Sequence, residues 1–282
     1  MTDPQSGAPN PGQSSDDPGA GDAALAELRT EIDAIDDQIL TLVQQRAGLA
    51  DRMAGLKPGV AAPVRPAREV SLLRRLIAKA GAVDADAVVD VWRGLIAANI
   101  RRQRPIDVLV AGAGPETLRL FDLARRHFGA SARISRADDA RTALARVLEN
   151  PATLAVTPYP GTSGAGAWWP IFNETRFRPL AVISALPLMA EAGQEPEAAI
   201  VAQGVTAEAA GGDVTFAVAF DPHHRAVRAF NEAGILGREL ARSRETILVR
   251  MDGFMAPGDP RIPTLIQAGL DAFRVVGSYA RI

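Results

Sequence analysis

The 282-residue chain contains no cysteine, which excludes disulfides, thiolate nucleophiles and cysteine-ligated metal centres in one step. Histidine is scarce: there are three, and two of them are the neighbours His223 and His224. A three-histidine metal site is therefore not expected, and no other metal ligand set stands out. Aromatic residues make up 5%, and of the 31 basic residues only Lys57 and Lys79 are lysines. There is no excess of positive charge, because 33 acidic residues leave a net charge of -2. That gives no broad footprint for nucleic acid. No run of ~18 apolar residues occurs, so no segment reads as membrane-spanning. What the chain does have is 47% hydrophobic residues, enough for one large or two small cores and too many for overall disorder. The first 22 residues are rich in Pro, Gly, Ser and Asp. Without the basic start and apolar stretch of a signal peptide they read as a disordered tail, and the cytoplasm is the simplest compartment.

Three zones follow the tail: 23–104 reads as all helix, 106–210 alternates strand and helix, and 213–282 reads as strand, helix, strand, strand, helix, strand. Pro105 marks the first boundary, since proline and its predecessor end helices. The stretch Ala209-Ala210-Gly211-Gly212 marks the second.

Asp22 is a plausible cap for the first helix. Apolar residues then fall at Leu25, Leu28, Ile32, Ile35, Ile39, Leu42, Leu49, Met53 and Leu56. This three-four spacing makes a heptad seam, which asks for a long partner helix. Pro58-Gly59 stops the helix. A second helix is predicted from Pro66 to Gly81. A third is predicted from a cap at Asp84 to about Arg104, with Val88, Trp92, Leu95, Asn99 and Gln103 on its buried face.

Arg46 interrupts the seam where a hydrophobe belongs, and a charge at a core position costs several kcal/mol unless it is paired. Lys57 follows 11 residues later, on the same face and about 16 Å along the helix. Both cations can lean toward one small anion. Arg29 precedes Arg46 by 17 residues, about 25 Å away and ~100° round the helix. One small ligand therefore reaches Arg29 only from a second, antiparallel chain. A plain coiled-coil dimer with incidental polar positions is the alternative.

The stretch LAELRTEIDAIDDQILTLVQQRAGLADRMAGLK, with PAREVSLLRRL and LIAANIRRQ, resembles the all-helical chorismate mutase family. The resemblance implies an intertwined homodimer that rearranges chorismate to prephenate without a cofactor. It also implies roles residue by residue. Arg29 is donated across the dimer to a carboxylate, and Arg46 binds a carboxylate in the same site. Lys57 bridges carboxylate and ether oxygen. Arg68 and Glu69 open the second helix, with Glu69 accepting the ring hydroxyl. Gln103 donates to the ether oxygen, and Asn99 stands near a carboxylate. An Asp usual shortly before the Arg-Glu pair is missing, and Pro66 lies there, offering no N–H.

Beyond Arg104, Gly112-Ala113-Gly114 tempts toward a dinucleotide site, but Thr117 replaces the third glycine and no acidic residue clearly closes the next strand, ARISRADD. The zone resembles instead the first lobe of prephenate dehydratases, followed by an ACT-like βαββαβ domain ending in Arg274-Val275-Val276-Gly277-Ser278-Tyr279. The region is too short for an intact two-lobed dehydratase. Asn173-Glu174-Thr175-Arg176-Phe177 matches a catalytic Thr-Arg-Phe motif but lies out of place, because the strand AAIVAQG follows it. An aromatic amino acid effector is a further partner that the resemblance implies, although Pro222-His223-His224-Arg225 and Ala241-Arg242-Ser243-Arg244 depart from the effector-binding loops. The histidine pair reads as a solvated helix start, and Trp168-Trp169 as core or interface. The expected activity is chorismate mutase. A bifunctional mutase–dehydratase and a non-catalytic helical module with an effector-binding tail are the alternatives.

Overall fold

The computed structural model describes residues 18–56, 61–112, 114–189 and 193–282. Its contacts divide the chain into a unit that ends at Leu49 and one that runs from Ala50 to Ile282.

The first helix, α1, spans Pro18–Leu56. It begins four residues ahead of Asp22, so the expected cap is inside the helix. Pro18 is suited to a first helical position, and the alanine-rich run behind it favours continuation. The seam residues from Leu25 to Leu49 stand about half exposed along this helix, and Leu56 is 81% exposed.

The second unit begins with the helices α2 (Pro66–Ile77) and α3 (Ala85–Gln103). Pro66 opens α2 as expected, but regular helix ends at Ile77, and the residues to Gly81 form turns. The buried residues of α3 are Val88, which belongs to the expected face, and Val89, Arg93, Ile96, Ala97 and Ile100. Past Val88 the buried stripe lies one residue round from the expected face, whose Trp92, Leu95, Asn99 and Gln103 are only half-buried. The reason is a shared core: Ile96 and Ile100 pack with Leu120, Leu123 and Phe128.

Strands β1 (Asp107–Ala111), β2 (Arg133–Ala137) and β3 (Thr153–Pro158) alternate with helices α4 (Pro115–Phe128) and α5 (Ala140–Glu149). β1 pairs in parallel with both β2 and β3. Every residue of β3 is buried, as a parallel strand covered on both faces requires. Leu154 and Val156 face the α3–α4 side, and Ala155 faces Leu144 and Val147 of α5. Three short 3₁₀ turns then lead to β4 (Leu180–Leu186) and β5 (Ala198–Gln203).

The last zone gives β6 (Val214–Phe220), α6 (Ala226–Glu232), β7 (Gly237–Ser243), β8 (Thr246–Asp252), α7 (Ile262–Gln267) and β9 (Asp271–Tyr279). This is the expected strand–helix–strand–strand–helix–strand order. Its strands do not form a separate sheet. A single nine-stranded sheet runs in the order β2-β1-β3-β5-β4-β9-β6-β8-β7. The join is the contact of β4 with β9 at Val182 and Gly277. Gly277 has φ +145, and a Cβ there would lie 2.1 Å from the Val182 carbonyl oxygen, so only glycine fits the join. Trp168 and Trp169 are buried in the core that spans this join, and His223 and His224 are exposed before α6. Among the described residues no helix is long and apolar enough to cross a membrane.

Candidate active site

The polar residues singled out in the helical zone fall into two groups. Arg29 and Arg46 lie on α1 within the first unit. Arg29 is exposed, and Arg46 is half-buried, where desolvation draws its pKa below the usual arginine value. Lys57 lies outside the described residues.

Arg68, Glu69, Asn99 and Gln103 belong to the second unit. Arg68 and Glu69 are consecutive in the first turn of α2 and so diverge by about 100°. Arg68 is exposed, and the Glu69 side chain is only 13% exposed. Pro66 sets the helical φ of that turn, and Glu69 reaches back so that its Oε1 accepts from the Arg65 backbone N–H at 3.1 Å. Oε2 accepts from Nη1 of Arg93, on α3, at 2.5 Å. Asn99 and Gln103 sit one turn apart on α3, half-buried, and side chains at that spacing lie one above the other. Arg102, exposed and directly before Gln103, forks onto Asp51 of α1 through Nε at 2.9 Å and Nη2 at 2.5 Å.

Helix α2 is fixed to the rest of the unit by arginines. Arg74 donates to the carbonyls of Ala210 (2.9 Å) and Gly211 (2.6 Å) and to that of Arg281. Arg65 pairs with Glu208 at 2.7 Å. The Gly-rich boundary is thus anchored against α2.

Arg93 is the residue that the sequence reading missed. Its signal was present: an arginine at a core position of the stripe Val89, Ile96, Ile100, the same anomaly that drew attention to Arg46.

A separate cavity of about 540 Å³ opens at the C-terminal ends of β1, β2 and β3, where α/β sheets commonly hold ligands. Gly112, Asp138, Asp139, Arg141, Trp168 and Glu174 line it. Arg141 is engaged by Glu174, with Nη1 donating to Oε2 at 3.1 Å and Nη2 to Oε1. The Asp139 carboxylate takes the Thr142 backbone N–H at 2.7 Å, which holds its pKa below the usual carboxylate value. Three carboxylates thus face one arginine that is already paired. The Thr-Arg-Phe stretch lies beside this cavity, with Phe177 buried and the guanidinium groups of Arg141 and Arg176 over its ring at 5.6 and 5.5 Å. Among the described residues no cluster of His, Asp and Glu is arranged to hold a metal ion.

Residues 28–104 match the family model of chorismate mutase type II. All seven residues assigned above, Lys57 included, fall inside that match. The bifunctional chorismate mutase/prephenate dehydratase of Aquifex aeolicus is 31% identical over 144 residues, which cover 49% of this chain and 39% of that protein. The protein of the same description from Neisseria gonorrhoeae is 34% identical over 112 residues, covering 39% of this chain and 30% of that one. The chain thus spans well under half the length of these curated relatives. The first 104 residues are little more than a third of the chain, so the Aquifex alignment extends beyond the helical segment. Among solved structures, prephenate dehydratase from Arthrobacter aurescens in complex with L-Phe is similar at 17% identity and a TM-score of 0.44, over 62% of this chain and 90% of that one.

Proposed function

We propose that the chain is a chorismate mutase that converts chorismate to prephenate by an intramolecular Claisen rearrangement, as a homodimer and without a cofactor. The observation that carries this reading is the match of residues 28–104 to the chorismate mutase type II family, with seven appropriately charged or polar residues inside it.

The chemistry suits the residue types. The substrate is a dianion that must be held in a folded, chair-like shape, which is a task of positioning. One C–O bond breaks as one C–C bond forms within the same molecule, so no nucleophile, proton carrier or oxidant is consumed. Negative charge grows on the ether oxygen in the transition state, and donors fixed there stabilise that state more than the ground state. Lys57 and Gln103 take that role. Arg46 and the partner subunit's Arg29 hold carboxylates, with Arg68 and Asn99 assisting, and Glu69 accepts the ring hydroxyl. The half-exposed apolar stripe of α1, from Leu25 through Ile32 and Ile39 to Leu49, supports a second copy as its cover, because apolar area of that length is costly to leave in water.

In this reading 23–104 is the mutase domain, 106–210 a truncated dehydratase-like region and 213–282 an ACT-like domain, while the expected tail boundary at residue 22 gives way to a helix that already starts at Pro18; the setting is the cytoplasm, where the biosynthesis of aromatic amino acids supplies the substrate. An aromatic amino acid is the effector that an ACT-like domain would take. The dehydratase-like region is read as chemically silent: the carboxylates of Asp138, Asp139 and Glu174 around the cavity at the ends of β1, β2 and β3 repel a dicarboxylate product, and Arg141 is neutralised. The extension of the Aquifex alignment past the helical segment favours a second reading, in which dehydratase activity is retained.

One assay tests all of these. Purified protein is given chorismate, and the products are followed with and without acid treatment. Prephenate that turns to phenylpyruvate only after acid supports the proposal. Phenylpyruvate without acid supports the bifunctional reading. Unchanged chorismate leaves a non-catalytic helical module.

A further inference from the structure

We propose that Arg93 is a positioning residue for the rearrangement: it ties the Glu69 carboxylate to the C-terminal end of α4, so that the α/β region holds a mutase group in place. This rests on the assignment of Glu69 as acceptor of the ring hydroxyl.

The Arg93 side chain is only 4% exposed, and its guanidinium is held at both ends. Nη1 donates to Glu69 Oε2 at 2.5 Å, while Nε and Nη2 both donate to the His127 carbonyl oxygen, at 3.0 and 2.6 Å. A guanidinium is a rigid plane, so fixing one edge on the carbonyl fixes the direction of the other. His127 is the penultimate residue of α4. Its carbonyl is one of those that a helix end leaves without an intrahelical partner, and the helix dipole makes that end attractive to a cation.

The same helix end is held a second time. Arg101, two turns along α3 from Arg93, donates to the Phe128 carbonyl at 3.3 Å. Gly129, at φ +83, ends α4 so close to α3 that a Cβ there would lie 3.3 Å from the Ala97 Cβ and 3.4 Å from Arg101 Nη1. The acceptor of Arg93 is therefore fixed by close packing as well as by hydrogen bonds.

Glu69 remains able to bind a ligand in this arrangement. An ionised carboxylate offers about four lone-pair directions. Among the described residues Arg93 and the Arg65 N–H occupy one on each oxygen, which leaves lone-pair directions for a hydroxyl. Without Arg93 the carboxylate would be an unpaired, largely buried charge, and it would turn toward water.

A double-mutant cycle in the full chain separates positioning from plain structural support. Arg93→Met is expected to lower kcat/KM for chorismate by roughly 10- to 100-fold in the wild-type background. In a Glu69→Ala background the same substitution is expected to change it by less than about twofold, because the group it orients is gone. Arg93→Lys, which cannot bridge both acceptors in one plane, is expected to recover only part of the loss. Should Arg93→Met not fold, Gly129→Ala serves in the same cycle, since it displaces the helix end while leaving both charged side chains intact. Equal losses in the two backgrounds overturn the proposal and leave the mutase assignment standing. A wild-type protein that does not consume chorismate overturns both.

Discussion

Tyr159 and Tyr279 meet hydroxyl to hydroxyl at 2.7 Å, one just beyond β3 and the other at the end of β9. Their rings stand edge to face, and both contact Phe216 of β6. This pair bridges the two halves of the sheet. Burial first, and then their mutual proximity, pushes the Tyr159 hydroxyl far above the usual tyrosine pKa, and burial raises that of Tyr279.

A folded-state pKa above the unfolded one near 10 means that the native state keeps a proton that the unfolded chain releases. The resulting stability is complete below about pH 10 and is lost as pH rises above it. Tyr159→Phe is expected to cost about 1 kcal/mol at pH 7 through the lost hydrogen bond and to show a shallower alkaline decline. Urea unfolding between pH 7 and 11 measures both, and an unchanged alkaline slope would count against the linkage.

At the acid side the relevant group is His127. Its Nδ1 is buried and has no hydrogen-bond partner among the described residues, although the residue as a whole is partly exposed. Desolvation and then the nearby Arg93 charge lower its pKa well below the usual value. The unfolded chain takes up a proton near pH 6.5 that the native state refuses, so stability declines as pH falls below that point, by up to about 1.4 kcal/mol per pH unit. His127→Phe is expected to flatten this limb in unfolding curves taken from pH 7 to 5. A limb of unchanged steepness in that variant would assign it to other groups.

Gly277→Ala is expected to be among the most damaging single-methyl changes in the chain. The added carbon would meet the Val182 backbone at 2.1 Å, and backbone atoms on both sides cannot step aside. A loss of ~3–5 kcal/mol, read by chemical denaturation, corresponds to separating the β4 and β9 halves of the sheet. A loss below about 1 kcal/mol would mean that the join is far looser than described.

In the proposed mutase site, Gln103→Ala and Lys57→Ala are each expected to lower turnover roughly 10²- to 10³-fold, the scale of one lost oxyanion-type donor. Both variants should unfold near the wild-type midpoint, since Gln103 itself is only half-buried and is not among the buried residues of α3. Wild-type turnover by Lys57→Ala would remove that residue from the site.

Much of the fold can be read from local pattern. The seam of α1, the start of α2 at Pro66 and the alternation that gives β1 to β3 all follow from periodicity within short windows. The βαββαβ order of the last zone follows in the same way. What the sequence hides is long-range. The merging of two expected sheets depends on Val182 meeting Gly277, residues far apart in sequence, and a lone glycine in a strand does not name its neighbour. The face of α3 is legible only in part: Val88 is buried as expected, but Trp92 and Leu95 compete with Val89, Ile96 and Ile100, and only packing against α4 decides between them. Arg93 was missed for the same reason: its partners, Glu69 and the His127 carbonyl, come from two other helices.

The most direct test of a site shared by two subunits is complementation between Arg29→Ala and Arg46→Ala. Each variant alone is expected to be nearly inactive. Mixed, unfolded and refolded together, they form hybrid dimers in which one site receives an intact Arg46 from one chain and an intact Arg29 from the other. Random pairing then restores about a quarter of the wild-type activity. A mixture no more active than its two components would contradict the shared site.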